Sequence, residues 1–484
     1  MRRGAVLILA GLGLLLIPIA GRTIWYYRGI YRPPEQILLP AFSEITIPQP
    51  PITDTRIVLG EQPPHVSSVV LIDAAHSNRF EISELETLTR ALSARGAAVQ
   101  ILDSNAESDQ LGLEGRLKYV SAYIVVAPFD AFTAPEVEAV RRFVERDGRL
   151  LVILDPTRSG PDTQLFDFSD ETSGDDVTVA NRLLEPLDLA FSNNYLYDLV
   201  EYEGNFRNVF FKKFNDNPLT KNLNTVTLYA ARSVYTEDGT PLIMGGETVF
   251  SSTTDSGGGL SAAALSPNQA ALALGDLTFF QPPYDRVTDN RQFIKNLANF
   301  LLGGKRETTL EDLPFVFSGP VAVIQSGDFA LQAETLSALQ EIQATLRAAG
   351  IELIFPEEPP ADGDRLVLGL FDPDSDLEDF LAPLEIILPS DDPDGLLRVP
   401  GFGALNPAGI GVVAIVHDNT YTTLALLAED EERLLTLLEN IGFDPLEDCL
   451  VKGAYGLCKV GEGEGFDAAD EFEFDLDFEE VFSD

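Results

Sequence analysis

Asp73, His76, Asn78 and Arg79 stand close together just after a short apolar run, Val69–Ile72. A carboxylate beside an imidazole can orient and tune a general base, and histidine is the side chain whose ordinary pKa suits that work near neutrality. Only three histidines occur in the chain, so this one draws attention. Two further carboxylates, Asp155 and Asp276, follow apolar runs of their own and could join the same group. In open α/β sheets, ligands collect beyond the carboxyl ends of the strands, where all six residues would fall. The functional reading is a ligand pocket, or a general base at His76. The structural reading is local: Asp73 and Asn78 bond backbone amides in a turn, and His76 caps or packs. A metal needs at least three converging ligands, and one histidine with scattered carboxylates does not supply them, so neither a metal nor a cofactor is expected.

The elements that would carry these residues alternate strand and helix. Val69–Ile72 reads as a buried strand; Ser83 and Glu86 suggest a capping box, with Leu85, Leu88 and Leu92 at helical spacing before Gly96. Val99–Leu102, Tyr123–Ala127 and Leu150–Leu154 read as further strands. A helix opens at Thr133 and Glu136, puts Val137, Val140, Phe143 and Val144 on one face, and stops at Gly148. A helix over 175–187, strands and loops from 195 to 256, a strand at Ala271–Leu274 and a helix near Asn290–Leu302 complete residues 65–304. This rhythm implies a parallel sheet with right-handed crossovers. A second, smaller α/β domain is expected over 320–460, with strands at Val321–Ile324, Ile351–Phe355, Leu366–Leu370, Ile386–Leu388 and Val412–Val416, and helices near 331–348 and 429–441.

Composition bounds the rest. The chain has 484 residues, more than one core usually holds. Its 77 acids against 33 lysines and arginines give a net charge of -44, which repels phosphates and argues against a nucleic acid partner. Residues 5–21 are apolar and uncharged, and Trp25, Tyr26 and Tyr27 would sit at a bilayer interface. An uncleaved anchor over residues 1–32 is preferred to a signal peptide, because bulky residues surround Ala20 where small ones would favour cleavage. A proline-rich linker over 33–64 would lift the folded part off the membrane. Cys449 and Cys458, with no histidine nearby, suit a disulfide outside the cytoplasm better than a zinc site, free thiols being the alternative. Residues 461–484 mix acids with Phe466, Phe472, Phe474, Phe478 and Phe482, a composition expected to be disordered.

Asp73-x-x-His76-x-Asn78, the following helix, Ala127-Pro128-Phe129-Asp130-Ala131-Phe132-Thr133, Asn217-Pro218-Leu219-Thr220-Lys221-Asn222-Leu223, and Gly275-Asp276 with Asn290, Phe293, Asn296 and Phe300 together resemble the class I glutamine amidotransferase-like fold. Within it, residues 65–302 resemble a non-catalytic bacterial branch, found in membrane-anchored proteins and in auxiliary subunits of ABC-type transporters. The resemblance implies a parallel, flavodoxin-like sheet and a transport or envelope partner. True amidotransferases of this fold need a cysteine on a sharp strand-to-helix elbow. Here both cysteines lie far beyond the domain, the strands lead into Pro128 and Asp155, and no Gly-x-Ser-x-Gly occurs.

Other motifs carry less. Asp372, Asp374 and Asp376 imitate a calcium loop, but Leu377 replaces its glycine and Pro383 its bidentate glutamate. His417-Asp418-Asn419 fits a site or a capping turn, and Gly257-Gly258-Gly259 lacks the lysine of a phosphate loop. The sequence therefore leads to a membrane-anchored, extracytoplasmic, non-enzymatic binding or accessory protein. The alternative is a hydrolase or sugar-acting enzyme using the Asp73/His76/Asn78 loop, and a third reading is a scaffold whose acidic tail recruits a basic partner.

Overall fold

The computed structural model describes residues 2–26, 68–103, 112–158, 176–254, 257–326, 329, 331–356, 363–371, 381–417, 421–443, 446 and 448–462. The proline-rich linker, Asp372–Asp376, Asp418-Asn419 and residues 463–484 lie outside them. Helix α1 (Arg2–Tyr26) is long and apolar enough to cross a membrane, with a mean hydropathy of 2.4 over Gly4–Tyr26. A signal sequence would have the same character.

The described residues from Ser68 onward form one compact unit carrying two large mixed α/β sheets. In the first, β1 (Val69–Asp73) lies between β2 (Ala98–Leu102) and β3 (Ala122–Val126), both parallel to it. Next come β4 (Arg149–Ile153) and the strand Ala271–Leu274, again parallel, and then Ser261–Leu265, which runs antiparallel. The order of the parallel strands reverses between β1 and β3, so their two carboxyl-end loops flank a switch point.

Period-two alternation distributes the side chains to two cores. Val70 and Ile72 join α2 (Glu86–Ser93) and the helix Asn290–Leu302 on one face. Leu71 and Tyr123 join α3 (Gly112–Leu117) and α4 (Ala134–Glu145) on the other. The expected Ser83/Glu86 capping box is corrected. Glu81 and Glu84 form the box, because a 3-10 turn over Ile82–Leu85 starts the helical stretch earlier and places Ser83 inside it. Residues 175–187 split into a helix (Asp176–Leu184) and a 3-10 turn, where Pro186 interrupts the ladder.

The second sheet runs Leu353–Ile354, Val321–Ser326, Asp364–Leu370, Thr422–Ala428, Ile410–His417, Tyr455–Lys459 and Cys449–Lys452, its first four strands parallel. Two expectations fail here. Ile386–Leu388 makes only a bridge from Ile387 to Arg398, and the central place belongs to the fully buried run Thr422–Ala428. That run pairs antiparallel with Ile410–His417, so two apolar runs lie side by side in the sheet. A disulfide joins Cys449 to Cys458 across the last pair of strands.

The segment from Gly303 to Phe315 stitches the two sheets together. Arg306 donates to the carbonyls of Leu117 and Lys118, and the Leu310 amide donates to the Gly453 carbonyl. Asp312 is fully buried, its carboxylate 3.2 Å from Arg146 and 3.1 Å from Arg306. A carboxylate between two guanidiniums offsets its own desolvation, but removing it leaves two cations facing each other. Asp312→Ala is therefore expected to cost about 3 kcal/mol of stability in urea unfolding, and an unchanged midpoint would refute the brace.

Candidate functional site

At the end of β1 the Asp73 carboxylate is fully buried, and both its oxygens lie 3.0 Å from His76 Nδ1. The imidazole stacks on Phe132, the ring centroids 3.8 Å apart. Its other nitrogen, Nε2, is 3.6 Å from Glu136 Oε1 in the first turn of α4. Glu136 Oε2 meanwhile accepts hydrogen bonds from the Thr133 amide and hydroxyl, and Thr133 Oγ1 accepts from the Glu136 amide. One carboxylate thus closes the helix cap and the imidazole clamp together.

Burial by itself would lower the His76 pKa, yet the hydrogen bond and charge of Asp73, followed by those of Glu136, outweigh it and hold the imidazole above its ordinary value. Nδ1 is hydrogen-bonded to Asp73, while Glu136 stands near Nε2 as a charge beyond hydrogen-bond distance, and both carboxylates favour the protonated ring. Tyr123, from β3, is buried beside the same aspartate. Burial, reinforced by the Asp73 charge, pushes its phenol well above the usual range.

The loops after β1 and β3 are knotted through their backbones. The amides of Phe129 and Asp130 donate to the His76 carbonyl, and the Arg79 amide donates to the Ala127 carbonyl. Asn78 accepts from the His76 amide and donates to the Val126 carbonyl. Arg79 lies over the Phe129 ring at 3.6 Å and donates to the Arg158 carbonyl. Ser77 spends its hydroxyl on Asp130. Ala127, the first residue after β3, sits at φ 41° and is buried. A residue with a Cβ is held in that left-handed conformation at a cost of roughly 1–3 kcal/mol, and only because its surroundings over-determine it. A strand-end nucleophile would use such a sharp turn to project its side chain, and here the side chain is a methyl.

Asp155 and Asp276 form a second, separate knot. Asp155 accepts from the Thr157 amide and hydroxyl through one oxygen and from the Leu277 amide and Thr278 hydroxyl through the other. Asp276 accepts from the amides of Tyr229 and Thr278. Burial, with the neighbouring Asp155 charge, raises the Asp276 pKa well above the carboxyl range. The structure therefore brings Asp73, His76, Asn78 and Arg79 together and pairs Asp155 with Asp276, while β3 separates β1 from β4. The expected six-residue group is two groups. Among the described residues, no cluster of three or more His, Cys, Asp or Glu side chains is arranged to hold a metal ion.

Glu136 and Phe132 belong to the His76 cluster and were legible only as a cap residue and a core residue. In the second sheet, His417 Nδ1 pairs with Thr422 Oγ1 at 2.9 Å, and burial lowers its pKa.

No known family profile matches the chain, and no curated protein sequence does. Among solved structures, one described as "mmIFT52 N-terminal domain" is similar at 16% identity and TM-score 0.38, over 49% of this chain and 98% of that one. A ThuA-like protein from Bacteroides uniformis is similar at 12% identity and TM-score 0.29, over 50% of this chain and 92% of that one. At those scores neither likeness assigns a fold or a function.

The clamp carries a definite pH signature. A histidine whose folded pKa is raised contributes stability that is fully present below its unfolded pKa of about 6.5, and loses it as pH rises through the folded value. The melting temperature of the intact protein is thus expected to fall across that interval, and His76→Gln should remove this component of the slope. Parallel curves for the two proteins would show that the imidazole carries no such linkage.

Proposed function

We propose that this chain is a membrane-anchored, extracytoplasmic protein that acts by binding, as an accessory component of a transport or envelope system, rather than by catalysis. The observation that carries the reading is the state of His76. Both its nitrogens face carboxylates, the adjoining strand-end turn presents the methyl of Ala127, and no hydroxyl or thiol among the described residues is bonded to the ring. Nucleophilic catalysis needs a hydroxyl or thiol within hydrogen-bond reach of such a ring, and none of the described side chains is bonded to it there.

The strand order, with helices on both faces and a switch point between β1 and β3, supports a flavodoxin-like, amidotransferase-type scaffold that has lost its nucleophile. The second sheet then forms a smaller α/β domain braced against it. Helix α1 would supply the anchor, and the Cys449–Cys458 disulfide favours an oxidising compartment for the folded part.

Two measurements test this. In cells, the full chain should fractionate with membranes, and its folded part should be digested by protease added outside the cytoplasmic membrane; protection from that protease would contradict the placement. Purified protein is expected to show no turnover of chromogenic ester, amide or glycoside substrates that His76→Ala abolishes. A turnover lost in His76→Ala with the fold intact would reinstate the hydrolase.

A further inference from the structure

The parallel strands have a second end. Opposite the knotted loops, a concavity of about 600 Å³ opens between the start of β4, the turn after Ser261–Leu265, the segment 217–221 and the last turns of the helix Asn290–Leu302. That is the range of small-molecule sites. None of its lining side chains is acidic, in a chain where acids outnumber bases 77 to 33. Its two charged side chains are both cations, Arg149 and Lys221.

The hydrogen-bond inventory of the wall is one-sided. Asn299 accepts from Arg95 through Oδ1, which fixes the orientation of its amide and leaves its NH2 without a partner. Asn217 accepts from the Leu219 amide, so its NH2 is the outward group, meeting Gln269 Oε1 only at 3.4 Å. Gln269 thereby turns its own NH2 outward, and the Lys221 ammonium is exposed and makes no hydrogen bond. The Arg149 guanidinium lies 5.2 Å over the Phe300 ring, where it donates to the Gln269 carbonyl and pairs with Asp147. The polar groups left to face the concavity are thus donors: the unpaired NH2 groups of Asn299 and Gln269, the second N–H of Asn217 and an ammonium, beside an aromatic ring.

We propose that this concavity is a binding site for a small organic oxyanion, a carboxylate or a phosphate ester, whose oxygens take the free donors of Lys221, Gln269, Asn217 and Asn299 while its carbon skeleton rests against Phe300. Charge-assisted bonds of N–H donors to an oxyanion are the strong class, and the wall carries no acidic side chain to repel one. The site is separate from the His76 cluster and does not depend on the reading of that cluster.

The test is calorimetric titration of the intact protein with succinate, with glycerol 3-phosphate and with glycerol as the neutral control, up to about 10 mM, a range that captures millimolar affinity. Saturable binding of one of the anions, absent for glycerol, is expected, and the arm that binds identifies the oxyanion. Lys221→Glu should weaken that binding at least about tenfold, the ratio that corresponds to 1.4 kcal/mol, with the melting temperature unchanged because the side chain is exposed. Gln269→Ala should weaken it less. No binding of either anion, glycerol binding equally well, or anion binding that Lys221→Glu leaves intact would each overturn the proposal.

Discussion

The first sheet is tied at its carboxyl edge by one imidazole held between two carboxylates. Asp73 comes from the end of β1 and Glu136 from the first turn of α4, so His76 joins a strand to a helix that begins sixty residues later in the chain. Each partner answers a need that the other elements create. The buried aspartate needs a cation, the desolvated imidazole needs two acceptors, and Glu136 is already fixed by the helix cap. The sharp turn at Ala127 is held by bonds from the same loop, since its carbonyl accepts from the Arg79 amide and the carbonyl before it accepts from Asn78.

This arrangement commits the described polar groups of the expected pocket to one another. Carboxyl-end loops at a switch point become a site when their polar groups point at open space. Here Asp73, His76, Asn78 and Arg79 point at one another and at the neighbouring backbone, and Asp155 with Asp276 does the same one strand further along. The amino ends of the strands are the contrary case. The side chains around the concavity there have unpaired donors, no acids and a half-buried ring. Among the described residues, the polar groups at the carboxyl ends are thus paired, while several around the concavity at the amino ends are not.

How much of this the sequence carries depends on the range of the interaction. Strands β1 to β4 and helix α4 follow from local apolar period, capping residues and glycine stops, and they appear within a residue or two of their expected bounds. Asp73 and His76 stood out by their place just after β1, but their direct contact was not read from the sequence. Its completion by Glu136 and Phe132 was not, because both residues also satisfy a simpler local role. Thr422–Ala428 was missed for a related reason: a hairpin between two apolar runs looks like one run followed by a loop until the pairing is known. The division of the six candidate residues into two clusters depends on strand order, which no spacing encodes.

The state of His76 can be read directly by nitrogen-detected NMR titration of the folded protein. With Asp73 and Glu136 beside it, the ring is expected to lose its proton at a pH above the ordinary histidine value. A ring that titrates below that value would contradict the clamp and return the imidazole to the role of a base.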